Sequence, residues 1–438
     1  MIKNFRSKFS HTFRALKYRN YRLFYFGNGV SLIGTWMQAI AVSWLVYRLT
    51  GSPLLLGLAG FCSQIPVLIL TPFSGVLADR FNKHRLLIIT QTLAMVQAAM
   101  LALLVLTGKP QIWQILILSS CLGIINSLDI PVRQSFVLEM VDKKEDLGNA
   151  IALNSSLVNG ARLIGPSIAG VMVAALGEGI CFSLNALSFI AVIYSLLIMR
   201  IRPRKLVTKK QHFLSEFKEG LQYAYVFRHI FLFLALLSLV GMQYAVLMPV
   251  FAKEILHGGS QTLGILMAFS GLGAVTGAIF LASKKSASGL SGTMLISGLI
   301  FSAAITLFSF SANIYTSCLL LIFTGFGMMV TMASGNTILQ TLVDDSKRGR
   351  IMSLFTMAFI GMAPVGSIMI GGLANTIGAP HAMLMCGIFA FMSAAVFGIN
   401  LPKFRETIRP LREKALRASE AAAIQSVNAL TSPPEAQA

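Results

Sequence analysis

Runs of roughly twenty apolar residues, the length needed to cross the hydrocarbon core of a bilayer, recur along the chain with short polar breaks between them. The pattern predicts helices at 20–47, 53–77, 86–107, 111–136, 148–175 and 180–199. A basic stretch follows, and then come 230–254, 260–282, 292–311, 314–338, 349–375 and 380–400. The expected architecture is therefore all-α and integral to a membrane, with twelve transmembrane helices. A first six-helix bundle occupies 1–199, a central loop 200–229, a second bundle 230–400 and a tail 401–438. The tail, rich in Ala and Ser and holding Pro433 and Pro434, reads as disordered.

Composition agrees. Only 12% of residues are charged, 55% are hydrophobic, and the mean hydropathy is +0.73. A soluble domain keeps about a quarter of its residues charged, so lipid must be the solvent for most of this chain. The net charge of +20 raises the question of nucleic acid, and its distribution answers it. All but four of the 36 Lys and Arg residues fall at the termini or in the breaks on one face of the predicted bundle; Arg48, Lys109 and Lys253 lie on the other face, and Arg162 within a span. Basic residues collect on the cytoplasmic side of membrane proteins, so both termini are expected there, in a plasma (bacterial inner) membrane. No nucleic-acid partner is needed. A basic segment of some twenty residues precedes the first apolar run, too long for a cleavable signal, so that run is expected to stay as a helix.

In the central loop Phe213, Phe217, Leu221 and Tyr225 recur at helical spacing, with Glu216, Lys218 and Glu219 off that stripe. Such a pattern suits an amphipathic helix lying on anionic lipid, or a partly ordered tether. Cys62, Cys121, Cys181, Cys318 and Cys386 all sit inside apolar runs without paired spacing, which suggests neither disulfides nor a metal site.

The halves repeat. At an offset of 201 residues Gly148 meets Gly349, Gly165 meets Gly366, Gly170 meets Gly371, Gly177 meets Gly378, and Leu153 meets Leu354. The fifth span thus recurs as the eleventh. Two parallel six-helix units, related by an axis along the membrane normal, are the layout of transporters whose substrate site lies between the halves.

Two motifs carry a family resemblance. After the second span come Gly75, Val76, Leu77, Ala78, Asp79, Arg80, Phe81, Asn82, Lys83, His84 and Arg85. This segment resembles the cytoplasmic signature of the major facilitator superfamily, with Asn82 where glycine is usual; Asn also tolerates a left-handed turn. Asp79 stands at a helix C-terminus, where a negative charge opposes the dipole and wants an outside partner. The resemblance implies that this partner is the start of span eleven, near Arg350. The contact would form in the outward-open state and break when the inner gate opens. The second motif, Gly160, Gly165, Pro166 and Gly170 in span five, resembles the antiporter element of that superfamily. Small residues let helices approach closely, and Pro166 frees a carbonyl so that the helix can bend. The wording around Gly34-Thr35-Trp36-Met37-Gln38, Trp44-Leu45-Val46, Leu49-Thr50-Gly51-Ser52, Pro131-Val132-Arg133-Gln134 and Arg348-Gly349-Arg350 is similar to the secretion-effector branch, which includes siderophore exporters and macrolide efflux proteins.

Charge at mid-membrane costs about 2.5–3.5 kcal/mol on insertion scales and is a functional candidate by default. Arg162 in span five and Asp129 in span four are such charges. Both are expected to face the central cavity, Arg162 as counter-charge and Asp129 as proton carrier, with a structural ion pair as the competing role. Polar cavity candidates are Asn28, Gln38, Gln64, Asn126, Asn154, Asn159, Gln243 and Asn336. Amides at such positions also make interhelical hydrogen bonds worth about 1 kcal/mol.

The chain has no phosphate loop, catalytic triad or metal-ligand cluster in its sequence, so no enzyme and no cofactor is expected. The expected function is export of a hydrophobic drug or a siderophore by a monomer that rocks its halves about a central site, driven by protons. Two rival readings fit the same sequence: an importer or facilitator of a nutrient or ferri-siderophore, and a membrane sensor or assembly partner that transports nothing.

Overall fold

Eleven stretches among the described residues are helical, long and apolar enough to cross a bilayer. One of them, Glu145–Leu197, would be about 80 Å long as a continuous helix, far more than a bilayer of about 30 Å accepts. It is broken at Gly177, whose φ of 81° and ψ of 169° are not helical. Only glycine takes such a conformation without strain. Twelve spans result. The computed structural model describes residues 13–137, 139–141, 143–200, 225–284, 289–343 and 345–431; within these, the side chains at 72, 75–80, 144, 242, 345–350, 353, 360, 412 and 414–431 lie outside the description.

The spans are α1 (Arg19–Thr50), α2 (Pro53–Arg80), α3 (Lys83–Leu106), α4 (Ile112–Val137), α5 (144–176) and α6 (178–197). After them α7 runs from Arg228 to Val240, through a 3-10 turn at Gly241–Gln243, on through Tyr244–Val250 and out by a π-turn at Phe251–Ile255. Then follow α8 (Ser260–Ala282), α9 (Leu290–Phe308), α10 (Ile314–Leu342), α11 in two pieces (Asp345–Ile360 and Ala363–Ile377) and α12 (Ala379–Thr431). The stripe at Phe213, Phe217 and Leu221 lies outside the described residues.

Two expectations change. The tail read as disordered from 401 onward continues α12 as helix to Thr431. Leu401, Phe404 and Ile408 are buried in the core, and the Phe404 ring meets Phe397 at 6.2 Å; the apolar period of a helix outlasts the hydrophobic span. Asn82 does not make a left-handed turn. Its φ is −66°, and its side chain accepts the Arg85 N–H as the N-cap of α3.

The glycine repeat reappears as paired geometry. Gly378 ends α11 with φ 85°, as Gly177 ends α5. A Cβ on Gly165 would lie 2.5 Å from Trp36 Cβ on α1, and one on Gly366 2.9 Å from Gln243 Cγ on α7. Most telling, a Cβ on Gly170 would lie 2.7 Å from the Gly264 Cα on α8, and one on Gly371 2.9 Å from the Gly57 Cα on α2. So α5 crosses α8 glycine on glycine, and α11 crosses α2 in the same way. These two crossings join the halves.

Candidate functional site

Both glycine crossings lie toward the face that carries few basic residues. Around them the halves are tied by polar contacts. Ser260 Oγ donates to the Gly170 carbonyl at 3.4 Å, and Ser367 Oγ donates to the Gly57 carbonyl at 3.0 Å. Tyr47 of α1 hydrogen-bonds Glu254 of α7, while Lys253 Nζ sits 5.4 Å from the Tyr47 ring centre. Beside this seal is a cavity of about 430 Å³ lined by Trp44, Arg48, Glu178, Ser260 and Thr262 among others, with Arg48 Nε 2.7 Å from Glu178 Oε1.

Toward the basic face the same surfaces separate. Leu163, Pro166 and Gly170 share one face of α5, and that face packs on α8: a Cβ on Gly271 would touch Leu163 Cα at 2.9 Å, and one on Gly264 the Pro166 carbonyl at 2.9 Å. One to three turns nearer the basic end, the same face carries Ala152, Ser155 and Ser156, all exposed, and Asn159, half-buried. The α11 face that holds Ser367 and Gly371 against α2 carries exposed Thr356 and Met357 further on. The bundle is therefore sealed at one face and split at the other.

Arg162 sits where the split ends. It is half-buried, its guanidinium is 5.6 Å from the Trp36 ring centre, and it has no ion pair or hydrogen bond among the described residues. On the helix it points between Trp36 of α1 and the α8 crossing at Leu163. Asp129, its expected counterpart, is elsewhere. Asp129 is 1% exposed and paired with Arg133 one turn on; Oδ1 accepts from Thr90 Oγ1 and Gln91 Nε2, both at 2.7 Å. Arg133 also donates to Asn28 Oδ1 at 2.9 Å. Asp129 is thus the centre of a buried network among α1, α3 and α4, apart from Arg162.

Gln38 is also structural in its contacts. It donates to Gln97 at 2.9 Å and accepts from Asn185 at 2.7 Å, linking α1, α3 and α6. Buried Gln243 donates to the Ser238 carbonyl at 3.0 Å. Gln64, Asn126, Asn154, Asn159 and Asn336 are half-buried; Gln64 shares the α2 face of Gly57 and Leu68, toward α11, and Asn159 donates to Ser155 within its own helix.

In the glycine motif the members part company. Gly165 packs within its half, Gly170 packs across halves, and a Cβ on Gly160 would meet nothing within 4 Å. In the loop motif Lys83 pairs with Glu139 at 2.7 Å, and the Arg85 N–H caps on Asn82 at 3.2 Å. The side chains of Gly75, Asp79, Arg80 and Arg350 lie outside the description.

Sequence reasoning missed Glu178 and Glu254, which sit at the sealed face and not in mid-span. It also missed the docking of the N-terminal 3-10 turn Arg14–Lys17 onto α5, where Asp146 pairs with Arg14 at 3.0 Å and Lys17 at 2.6 Å. That carboxylate holds the Lys17 ammonium above the usual lysine range.

A helical bundle of this kind, closed at one face by α2–α11 and α5–α8, has a counterpart among known families. Residues 10–425 match the family model described as transmembrane secretion effector. The chain belongs to the transmembrane secretion effector family of the major facilitator superfamily. It is similar to the staphyloferrin A transporter of Staphylococcus aureus, 26% identical over 381 residues covering 86% of this chain and 95% of that protein. The macrolide efflux protein A of Streptococcus pyogenes is 23% identical over 405 residues, covering 87% and 96%. A bacterial homologue of the lysosomal transporter Spinster, solved inward-facing and unoccupied, shares the fold at TM-score 0.71 and 15% identity, covering 89% and 98%. This secretion effector is a multi-pass membrane transporter of small molecules, not an enzyme.

The seal yields a prediction of its own. Tyr47→Phe removes the hydrogen bond to Glu254, a charge-assisted bond of the kind worth about 1.5–3 kcal/mol. In a cysteine-free background, labelling of Asn159→Cys, on the cleft side of the seal, by a membrane-impermeant thiol reagent added at the basic-poor face should rise several-fold when Tyr47 is replaced. Unchanged labelling would show that the bond does not hold the seal.

Proposed function

We propose that this transporter exports drug- or siderophore-like small molecules from the cytosol across a bacterial inner membrane, by alternating access and in exchange for protons. The observation that carries the reading is the split between the halves, sealed at the basic-poor face and open at the basic one. Positive-inside topology makes the open face cytosolic, so both termini are cytosolic and in this state the central site exchanges with the cytosol. The two bundles, 1–199 and 230–400, are the moving bodies of one chain that works as a monomer in lipid. The glycine crossings are their pivots at one extreme of the swing; the Asp79 turn and the start of α11 are the contact at the other. Names of related proteins, a siderophore transporter and a macrolide efflux protein, support export of this kind of cargo. The antiporter-like motif in α5 supports exchange.

Direction and coupling are tested in everted vesicles from cells expressing the chain. Acidifying the lumen should drive uptake of an exported fluorescent dye or labelled siderophore, and collapsing the pH gradient should stop it. Accumulation only in right-side-out vesicles would make the chain an importer. Uptake in everted vesicles that ignores the gradient would remove proton exchange while leaving export.

A further inference from the structure

Among the described residues, Arg162 is a charged group at mid-span without an ion pair, whereas Arg22 and Lys253, also without one, stand within a turn of a span end. Asp129 holds Arg133, Glu178 holds Arg48, and Glu139 holds Lys83. Arg162 holds nothing but the face of Trp36. A guanidinium without a counter-ion persists in a membrane helix where water reaches it, and the cleft supplies that water in the open state. When the cleft closes, the water leaves and the charge must be neutralised or the closed state is penalised.

Resting on the export reading above, we propose that Arg162 and Trp36 form the anchoring point for a carboxylate group of the cargo, and that the cargo is an amphipathic organic anion. Two features fit that chemistry. The guanidinium has its planar donor fork free, which suits bidentate pairing with a carboxylate. The Trp36 ring braces it on one side by cation–π contact and presents apolar surface to the body of the molecule. Position completes the case, because the Arg162–Trp36 pair lies beside the Leu163–Gly271 crossing, where the halves first meet. A carboxylate bound there satisfies Arg162 as the cleft narrows. The bound anion thus favours the closing step that an empty carrier, with its lone cation, resists.

Binding is read on the purified full-length protein in nanodiscs with 1-pyrenebutyrate and its uncharged amide, by fluorescence anisotropy. The wild type should bind the carboxylate at least about tenfold more tightly than the amide, the range for one charge-assisted pair. Arg162→Gln should erase that preference while leaving amide binding within about twofold, and Arg162→Lys should keep part of it. The amide is the folding control. Equal binding of both probes to the wild type, no binding of either, or an equal loss of both in Arg162→Gln protein that remains monodisperse would each overturn the proposal. Vesicle direction does not enter this assay, so failure here and failure of the export reading are separate results.

Discussion

Replacing Asp129 by Asn will lower the stability of the protein by about 3 kcal/mol, the lower part of the range for breaking a buried ion pair. Asparagine still accepts from Thr90 and Gln91, whose bonds end on one carboxylate oxygen, but it leaves Arg133 charged and unpaired, with its side chain only 22% exposed. The loss comes from the stranded cation, so removing that cation should restore most of it. The double variant Asp129→Asn, Arg133→Gln is expected to unfold near the wild-type temperature in detergent, with Asp129→Asn alone well below it. A double variant as unstable as the single one would show that the charges are not what the site needs. The same pair decides the role of Asp129 in coupling. If the stable double variant still transports against a pH gradient at the wild-type rate, proton exchange does not pass through this residue.

That site also shows what the sequence exposed and what it concealed. Asp129 was visible as an acid inside an apolar run. Its partner was visible too, because Arg133 stands four positions on, the spacing that puts two side chains side by side on a helix. Its place near the end of the apolar run groups Arg133 with the basic face, although α4 runs to Val137 and keeps it inside the helix. Hydropathy located the spans because the bilayer demands a fixed length of apolar residues. It could not locate the end of α12, where Leu401, Phe404 and Ile408 keep helical spacing after mean hydropathy has fallen. The offset of 201 residues was legible as glycine against glycine. What each glycine touches was not, since Gly160 and Gly170 look alike in the motif and only the fold puts one in open space and the other against α8.

Gly170→Leu is expected to abolish the sealed state while leaving the fold intact. The three nearest neighbours of the added Cβ belong to the other half: the Gly264 Cα at 2.7 Å, the Ser260 carbonyl at 2.9 Å and the Gly264 nitrogen at 3.1 Å. These are backbone atoms, which cannot swing aside as a side chain does. Overpacking of this sort costs about 1–3 kcal/mol even where neighbours relax, which shifts the balance between the two states about fivefold to 150-fold. Neither bundle loses an internal contact, so thermal stability should change little and transport should fall by a similar factor. A cysteine in place of Asn159, in the cleft, should become reactive from the basic-poor side. Gly371→Leu should behave alike, because its Cβ meets the Pro53 carbonyl and Gly57 of the opposite half. Gly160→Leu, in the same motif, should transport normally. If Gly170→Leu instead unfolds the protein with no change in which side is accessible, the crossing holds the bundle together and is not a surface on which the halves part.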